Sequence, residues 1–140
     1  MQLTNIVVGV TDAPTSRLAG ERAFELAAVT GATVHVVTAV EDAESAVVEI
    51  GSDRFEVDDL SSAQSKIDNW VRGLSTTVPW KVHATDDKPA DAILEVARSV
   101  DADLIVVGNV RMQGLGRLLG SVGNDIAHHA PCSVLIVKTV

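Results

Sequence analysis

The alternation of short apolar runs with helical patterns constrains the fold of this 140-residue chain more than any other feature. The runs are rich in Val and Ile, and they fall at residues 5–11, 33–40, 80–85, 103–108 and 133–140. Continuous β-branched runs are typical of strands buried on both faces, and strands that alternate with helices form a parallel sheet through right-handed crossovers. The sequence therefore predicts a single α/β domain over residues 1–140, with an open five-stranded parallel sheet and helices on both faces.

The segments between these runs carry helix signals. Helices are predicted over residues 16–30, 60–74, 89–100 and 121–129. Ser16 is expected to be the N-cap of the first helix, Gly31 to end it, and Pro89 to lie in the first turn of the third. The acidic segment 41–59 has no clear period and is predicted to be a long loop. The run at 80–85 alternates charged with apolar residues, which favours a position near a sheet edge.

Composition and charge exclude several classes of function. The formal net charge of −8 opposes binding to nucleic acid or to an anionic membrane, because both need a basic surface. The N-terminal apolar run is too short to span a bilayer and follows no basic region. Cys132 is the single cysteine, which rules out an internal disulfide and fits a reducing compartment. We therefore expect a cytoplasmic protein with neither nucleic-acid nor membrane partners.

Two loops are the candidates for a ligand site. In open parallel sheets, ligands bind outside the carboxyl ends of the strands, at the point where strand order reverses. If the order is 3-2-1-4-5, the first and fourth strands are neighbours, and the loops "VTDAP" and "GNVRMQGLGRLLGS" face one crevice. The second loop is rich in glycine and runs into a predicted helix, a pattern typical of phosphate cradles.

Within the second loop, Gly120-Ser121 is the sharpest local signal. Glycine lets a ligand approach the backbone, and Ser121 offers a hydroxyl beside the N–H groups of a helix start. The alternative is that Ser121 is an ordinary N-cap and the glycines only form turns; spacing alone leaves both open. Gly114 and Gly116 lack the interval of a dinucleotide fingerprint, and the chain has no Gly-Lys-Ser/Thr P-loop.

The charged residues of the two loops each have two interpretations. Asp12 follows the first strand and could contact a ribose or a base, or it could form an Asx turn. Arg111 and Arg117 are the only cations of the glycine-rich loop. They could neutralise phosphate charge, or they could be solvated surface residues.

No motif predicts catalysis or a metal site. The chain has neither a Gly-x-Ser-x-Gly elbow nor a recognisable Ser/His/Asp arrangement. His128 and His129 would point about 100° apart on a helix, which makes them a poor metal pair. Cys132 has no identifiable partner base and is expected to be a small buried residue. We predict no catalytic residue and no metal ligand.

Four segments together resemble the universal stress protein family: "IVVGVTDAPTS", "DADLIVVGN", "GLGRLLGSV" and "HAPCSVLIVK". The resemblance covers essentially the whole chain. It implies a Rossmann-like sheet of the adenine nucleotide alpha hydrolase-like type, with strand order 3-2-1-4-5. It also implies a cytosolic stress-response protein that binds ATP, together with Mg²⁺, acts as a dimeric sensor or regulator, and has at most weak ATP hydrolysis. The alternative is a dimeric interaction module that binds no nucleotide.

The resemblance assigns site residues by position. The family's nucleotide loop reads Gly, two residues, Gly, nine residues, then Gly and Ser or Thr; here Gly108, Gly120 and Ser121 match it, as does Asp12 at the end of the first strand. It further implies an adenine pocket lined by Val10 and Thr11, together with Ala39 or Val40. The ribose and phosphates would be flanked by Val107, Val110 and Val122.

Two departures from the family pattern stand out. Arg111 replaces the second glycine, and only eight residues separate it from Gly120. The first loop reads Asp-Ala-Pro without the Gly-Ser that often follows this aspartate. The Arg111 side chain could fill the space of a phosphate, or it could extend over the triphosphate and supply charge. The shortened loop could also be rearranged around Gly114 and Gly116. We expect ATP binding to be retained, because Gly120-Ser121 is intact.

The C-terminal run, residues 133–140, predicts the mode of dimerisation. A long apolar strand at a sheet edge invites pairing, and pairing with its own copy about a two-fold axis closes the assembly. A helix or loop that covers this strand is the alternative.

Overall fold

A computed structural model describes residues 2–11, 13–40, 45–50, 53–109 and 121–139; at 45–50, 53–58 and Ser121 only the backbone is described. The elements are β1 (Asn5–Gly9), α1 (Pro14–Thr30), β2 (Thr33–Ala39), β3 (Ser45–Ile50), β4 (Asp53–Asp58), α2 (Asp59–Gly73), β5 (Trp80–Thr85), α3 (Pro89–Ser99), β6 (Leu104–Gly108), α4 (Ser121–His129) and β7 (Ser133–Val137).

Five strands form a parallel sheet in the order β5-β2-β1-β6-β7. Numbered among themselves, these strands have the order 3-2-1-4-5, which confirms the predicted fold. Ile6 of the central strand pairs with Val34 on one side and with Leu104 on the other. β5 lies at an edge, as its alternating charges indicated.

Helices cover both faces of the sheet. Ile6 and Val8 point into a cluster formed with α1 and α2, whereas Val7 points into a second cluster formed with α3 and α4. All three are fully buried. A strand buried on both faces needs apolar residues at consecutive positions, which explains the unbroken run at the start of the chain.

The start of α1 differs from the prediction. The helix begins at Pro14 with Ala13 as its N-cap, so Ser16 is not the cap. Proline is favoured at the first helical position because its fixed φ suits the helix and its missing N–H would have no helical partner there. The end is as predicted: Gly31 adopts φ 79° and its N–H bonds to the Ala27 carbonyl oxygen at 2.8 Å.

The prediction of a loop over residues 41–59 was wrong for most of that segment. β3 and β4 pair as an antiparallel hairpin in which Val48 lies opposite Phe55. In "RFEVD", apolar and charged residues alternate, which is the two-residue period of a strand. Among the described residues, no helix has the length and apolar character needed to cross a membrane.

Candidate functional site

A cavity of about 370 Å³ opens at the carboxyl ends of β1, β2 and β6. This is the edge of the sheet where crossovers leave in opposite directions from β1 and β6, as the strand order requires. Six of the residues predicted from the sequence line it: Val10, Thr11, Ala39, Val107, Gly108 and Val122. The two loops chosen from the sequence therefore flank a single crevice, as far as they are described.

The remaining predicted residues are placed differently. Val40 lines an adjoining cavity of about 290 Å³, which also contacts Thr11 and Ala39. Ser121 begins α4, as predicted, and its side chain is not described. The others lie outside the described residues: Asp12, Val110, Arg111, Gly114, Gly116, Arg117 and Gly120.

The sequence reasoning missed part of the wall. The same cavity is also lined by Pro89 and Ile93 of α3 and by Val37 of β2. Gly123, in the first turn of α4, lines it too. A Cβ built on Gly9 would lie 2.7 Å from Ile93 Cδ1, so the Ile93 side chain of α3 packs closely on the end of β1. A glycine that closes an apolar strand marks such an approach, and Gly9 was the signal that could have revealed it.

On the β6 side of the cavity, the C-terminal segment packs closely on the end of the strand. A Cβ on Gly108 would lie 3.2 Å from Thr139 Cγ2. The Thr139 backbone N–H donates to Asn109 Oδ1 at 2.7 Å, which fixes the residue after β6 against the C-terminal segment. Of the three strands that bound the crevice, β1 and β6 therefore each end in a glycine where another segment packs closely.

Hydroxyl groups hold the rim formed by the first loop. The Thr11 backbone N–H donates to Ser16 Oγ at 2.8 Å, and the two side-chain oxygens lie 3.0 Å apart. The Ala13 N–H donates to Thr11 Oγ1 at 3.1 Å. Ser16, expected as a helix cap, instead ties the loop to the helix that follows it. The rim therefore presents small polar groups in fixed positions.

The chemistry of the described lining is that of binding. Valine, isoleucine and alanine form the floor, and threonine and serine form the rim; within the described lining there is no acid, histidine, lysine or cysteine. Pockets of this kind hold a mainly apolar ligand group and orient it by a few hydrogen bonds. No group of three or more His, Cys, Asp or Glu suited to a metal ion occurs among the described residues.

Comparison with known proteins identifies the family. The model of the universal stress protein family matches residues 2–138. The chain belongs to the universal stress protein family. Universal stress protein A homolog 1 of Coxiella burnetii is 31% identical over 140 residues, which cover 98% of this chain and 97% of the relative.

Solved universal stress proteins share the fold along the whole chain. One, described as a universal stress protein in complex with cAMP, is 28% identical with a TM-score of 0.76, and the match covers 100% of both chains. The universal stress protein UspA from Lactobacillus plantarum is 20% identical with a TM-score of 0.73, over 99% of both chains. The second likeness shows the fold alone.

The cysteine and the two adjacent histidines of this universal stress protein, Cys132, His128 and His129, do not line the cavity. Cys132 is half-buried, and burial, followed by the negative charge of Asp103, raises the pKa of its thiol. His128 and His129 are exposed, and His129 Nδ1 lies 2.9 Å from the Asp125 carbonyl oxygen. Cys132 was expected to be buried, and the structure shows it only half-buried.

Proposed function

We propose that this universal stress protein binds an adenine nucleotide, with ATP as the cellular ligand, in the cavity at the ends of β1, β2 and β6. The observation that carries the proposal is the convergence of Val10, Thr11, Ala39, Gly108 and Val122 on that single cavity. The full-length likeness to a universal stress protein in complex with cAMP supports an adenine nucleotide as the ligand class.

In this proposal the base enters the apolar part of the cavity. Val37, Ala39 and Ile93 are buried or half-buried there and offer the aliphatic surface that a flat aromatic ring needs. The ribose would lie towards the Thr11 rim. Asp12, which matches the family pattern at the end of β1, is proposed to contact the ribose or the base.

The phosphates would lie at the start of α4. The first N–H groups of a helix have no partner within it, and the helix dipole adds partial positive charge, so this end attracts an anion. Ser121 and Val122 begin α4, and Gly108 ends the neighbouring strand. Val107, Val110, Gly114, Gly116 and Gly120 are proposed to complete this part of the site.

Arg111 and Arg117 are proposed to supply the charge that a triphosphate requires, since the protein as a whole is acidic. The described lining offers no carboxylate for Mg²⁺. We propose that any magnesium ion reaches this part of the site as a complex with the phosphate oxygens. It would there neutralise phosphate charge.

We propose a regulatory role for the bound nucleotide in the cytoplasm, with at most weak hydrolysis. The described cavity lining lacks a general acid or base, which favours binding over catalysis. The competing function, a dimeric interaction module without nucleotide, is favoured by one observation: Arg111 stands where the family pattern has a glycine.

A homodimer through residues 133–140 is part of this proposal. β7 ends the sheet, and Leu135 and Ile136 are 41% and 42% exposed. These two side chains point to opposite faces of the strand, so the apolar surface wraps around the edge. A second copy of the chain would cover it.

The proposal is tested by identifying the ligand. Mass spectrometry of the protein as purified, and thermal shifts with ATP, AMP, cAMP and GTP at millimolar concentration, should show an adenine nucleotide bound and ATP stabilising more than GTP. ATP hydrolysis should not exceed a trace. If no adenine nucleotide is retained or shifts the melting temperature, the interaction-module function is favoured instead.

A further inference from the structure

A chain of side-chain hydrogen bonds crosses three neighbouring strands on the face of the sheet that α3 covers. His35 Nδ1 lies 3.0 Å from His83 Nε2, and His35 Nε2 lies 3.1 Å from Asn5 Oδ1. Asn5 Nδ2 donates to the Val100 carbonyl oxygen at 3.1 Å, just beyond the end of α3. His35 is only 7% exposed. The chain thus joins β5, β2, β1 and the end of α3.

The position of each proton in this hydrogen-bond chain follows from the Asn5 amide, whose nitrogen can only donate and whose oxygen can only accept. The Asn5 amide nitrogen donates to a carbonyl, so its oxygen accepts, and His35 must carry its proton on Nε2. In neutral His35 the other nitrogen, Nδ1, is then an acceptor. His83 must therefore donate through Nε2–H, which leaves His83 Nδ1 as the acceptor that faces away from the pair.

The pair accommodates one added proton but not two. The first can bind His83 Nδ1, and every hydrogen bond of the chain is kept. The second can only bind His35 Nδ1, where it would point at the Nε2–H of His83 across 3.0 Å. Two N–H donors would then face each other between two positive rings, in a site shielded from water on the His35 side.

We propose that Asn5, His35 and His83 form an acid-sensitive latch that ties the edge strand β5 and the end of α3 to the sheet at neutral pH and opens when both rings are protonated. β5 is an edge strand whose ladder partner in the described sheet is β2, so the latch adds a side-chain tie to a single ladder. This inference does not depend on nucleotide binding.

Of the described charged groups around the pair, only Lys81 acts on the protonation of the two rings. Lys81 on β5 opposes protonation of both rings. Asp87, before α3, and Glu95, on α3, line the groove beside His83, but both are exposed and water screens their charge. Asp103, after α3, accepts the backbone N–H groups of Thr4 and Asn5 rather than an imidazole N–H.

The direction of the pH effect follows from the pKa values. Burial and then Lys81 lower the pKa of His35 below 6.5; burial, then His35, then Lys81 lower that of His83. As the pH falls, these two histidines therefore bind protons at a higher pH in the unfolded protein than in the folded protein. The stability that the neutral pair contributes is complete above pH 6.5 and is lost as the pH falls from 6.5 through the lowered values.

The test compares urea unfolding between pH 5 and pH 8 for the wild-type protein, His83→Gln and His128→Gln. For each proton that only the unfolded state takes up, the unfolding equilibrium constant rises by up to about tenfold as the pH falls by one unit. His83→Gln keeps an N–H donor for His35 and removes one titrating group, so its pH dependence should be shallower. The exposed His128 is the matched control, and its variant should follow the wild type.

A pH dependence that is the same in His83→Gln as in the wild type would overturn the latch. If His83→Gln does not fold, NMR titration of the wild-type imidazoles decides. The latch requires both rings to titrate below 6.5 and the protection of β5 amides against exchange to fall over the same range, relative to β1. Two independent titrations near 6.5, or unchanged protection of β5, would refute it.

Discussion

Gly20, in the middle of α1, gives the sharpest test of the packing beneath the site. In an exposed helix, Gly→Ala stabilises by about 1 kcal/mol. Gly20 is buried, and a Cβ added there would lie 2.5 Å from Trp70 Cη2 and 3.0 Å from Val10 Cγ2. Real Cβ atoms do not approach so closely, so Trp70 or the helix must move.

Neither movement is easy. The Trp70 ring packs edge-on against Phe24, with ring centroids 6.3 Å apart and an interplanar angle of 75°. Val10 is 1% exposed and lines the candidate site. Overpacking of a core costs about 1–3 kcal/mol, which exceeds the gain in helix propensity for most of that range. We expect Gly20→Ala to lower the free energy of unfolding by up to about 2 kcal/mol, which is the cost of overpacking less the gain in helix propensity.

Urea denaturation followed by circular dichroism measures this change directly. The control is the same substitution in a Trp70→Leu background. Removing the indole relieves the clash, so Gly20→Ala should there be neutral or stabilising by up to about 1 kcal/mol. A Gly20→Ala variant that is more stable than the wild type with Trp70 present would refute the described packing of α1 against α2.

Two further predictions concern single side chains. Because burial raises its pKa, Cys132 should react with a thiol reagent at pH 7.5 more slowly than glutathione does; an equal or faster reaction would contradict its half-buried position. In sedimentation at micromolar concentration, the wild-type protein should have twice the monomer mass of 14.7 kDa, and Ile136→Lys should be monomeric. Val29→Lys, which replaces an 81% exposed valine on α1, should remain dimeric; a monomeric wild type would rule out the proposed edge pairing.

The central sheet was predictable because burial on both faces leaves a clear mark in the sequence. A strand such as Asn5–Gly9 must be apolar at consecutive positions, and the chain offers five such runs. The hairpin Ser45–Ile50 with Asp53–Asp58 was missed, since it lies outside that sheet. The many acidic residues of this segment made its alternation of apolar and charged residues hard to recognise in the sequence. The alternation is explained by the antiparallel pairing of β3 with β4.

For the candidate site, the sequence predicted the strand ends better than the walls. Thr11, Ala39 and Gly108 follow or close strands, so parallel topology alone brings them to one edge. Ile93 was not predicted, because its place depends on how α3 packs across β1 after the crossover. Apolar periodicity shows that a helix has a buried face, but it does not show which part of the sheet that face meets.

Binding of ATP in this cavity is tested by a calorimetric titration of ATP into three proteins: the wild type, Ala39→Phe and Ala28→Phe. Ala39 lines the cavity at the end of β2, whereas Ala28 is exposed on α1. A phenyl ring at position 39 would occupy the proposed base pocket. We predict that ATP binds the wild type and Ala28→Phe equally, and that Ala39→Phe binds at least tenfold more weakly, a difference of about 1.4 kcal/mol. Absence of binding to the wild type at millimolar ATP, or equal binding by all three, would rule out ATP binding in this cavity.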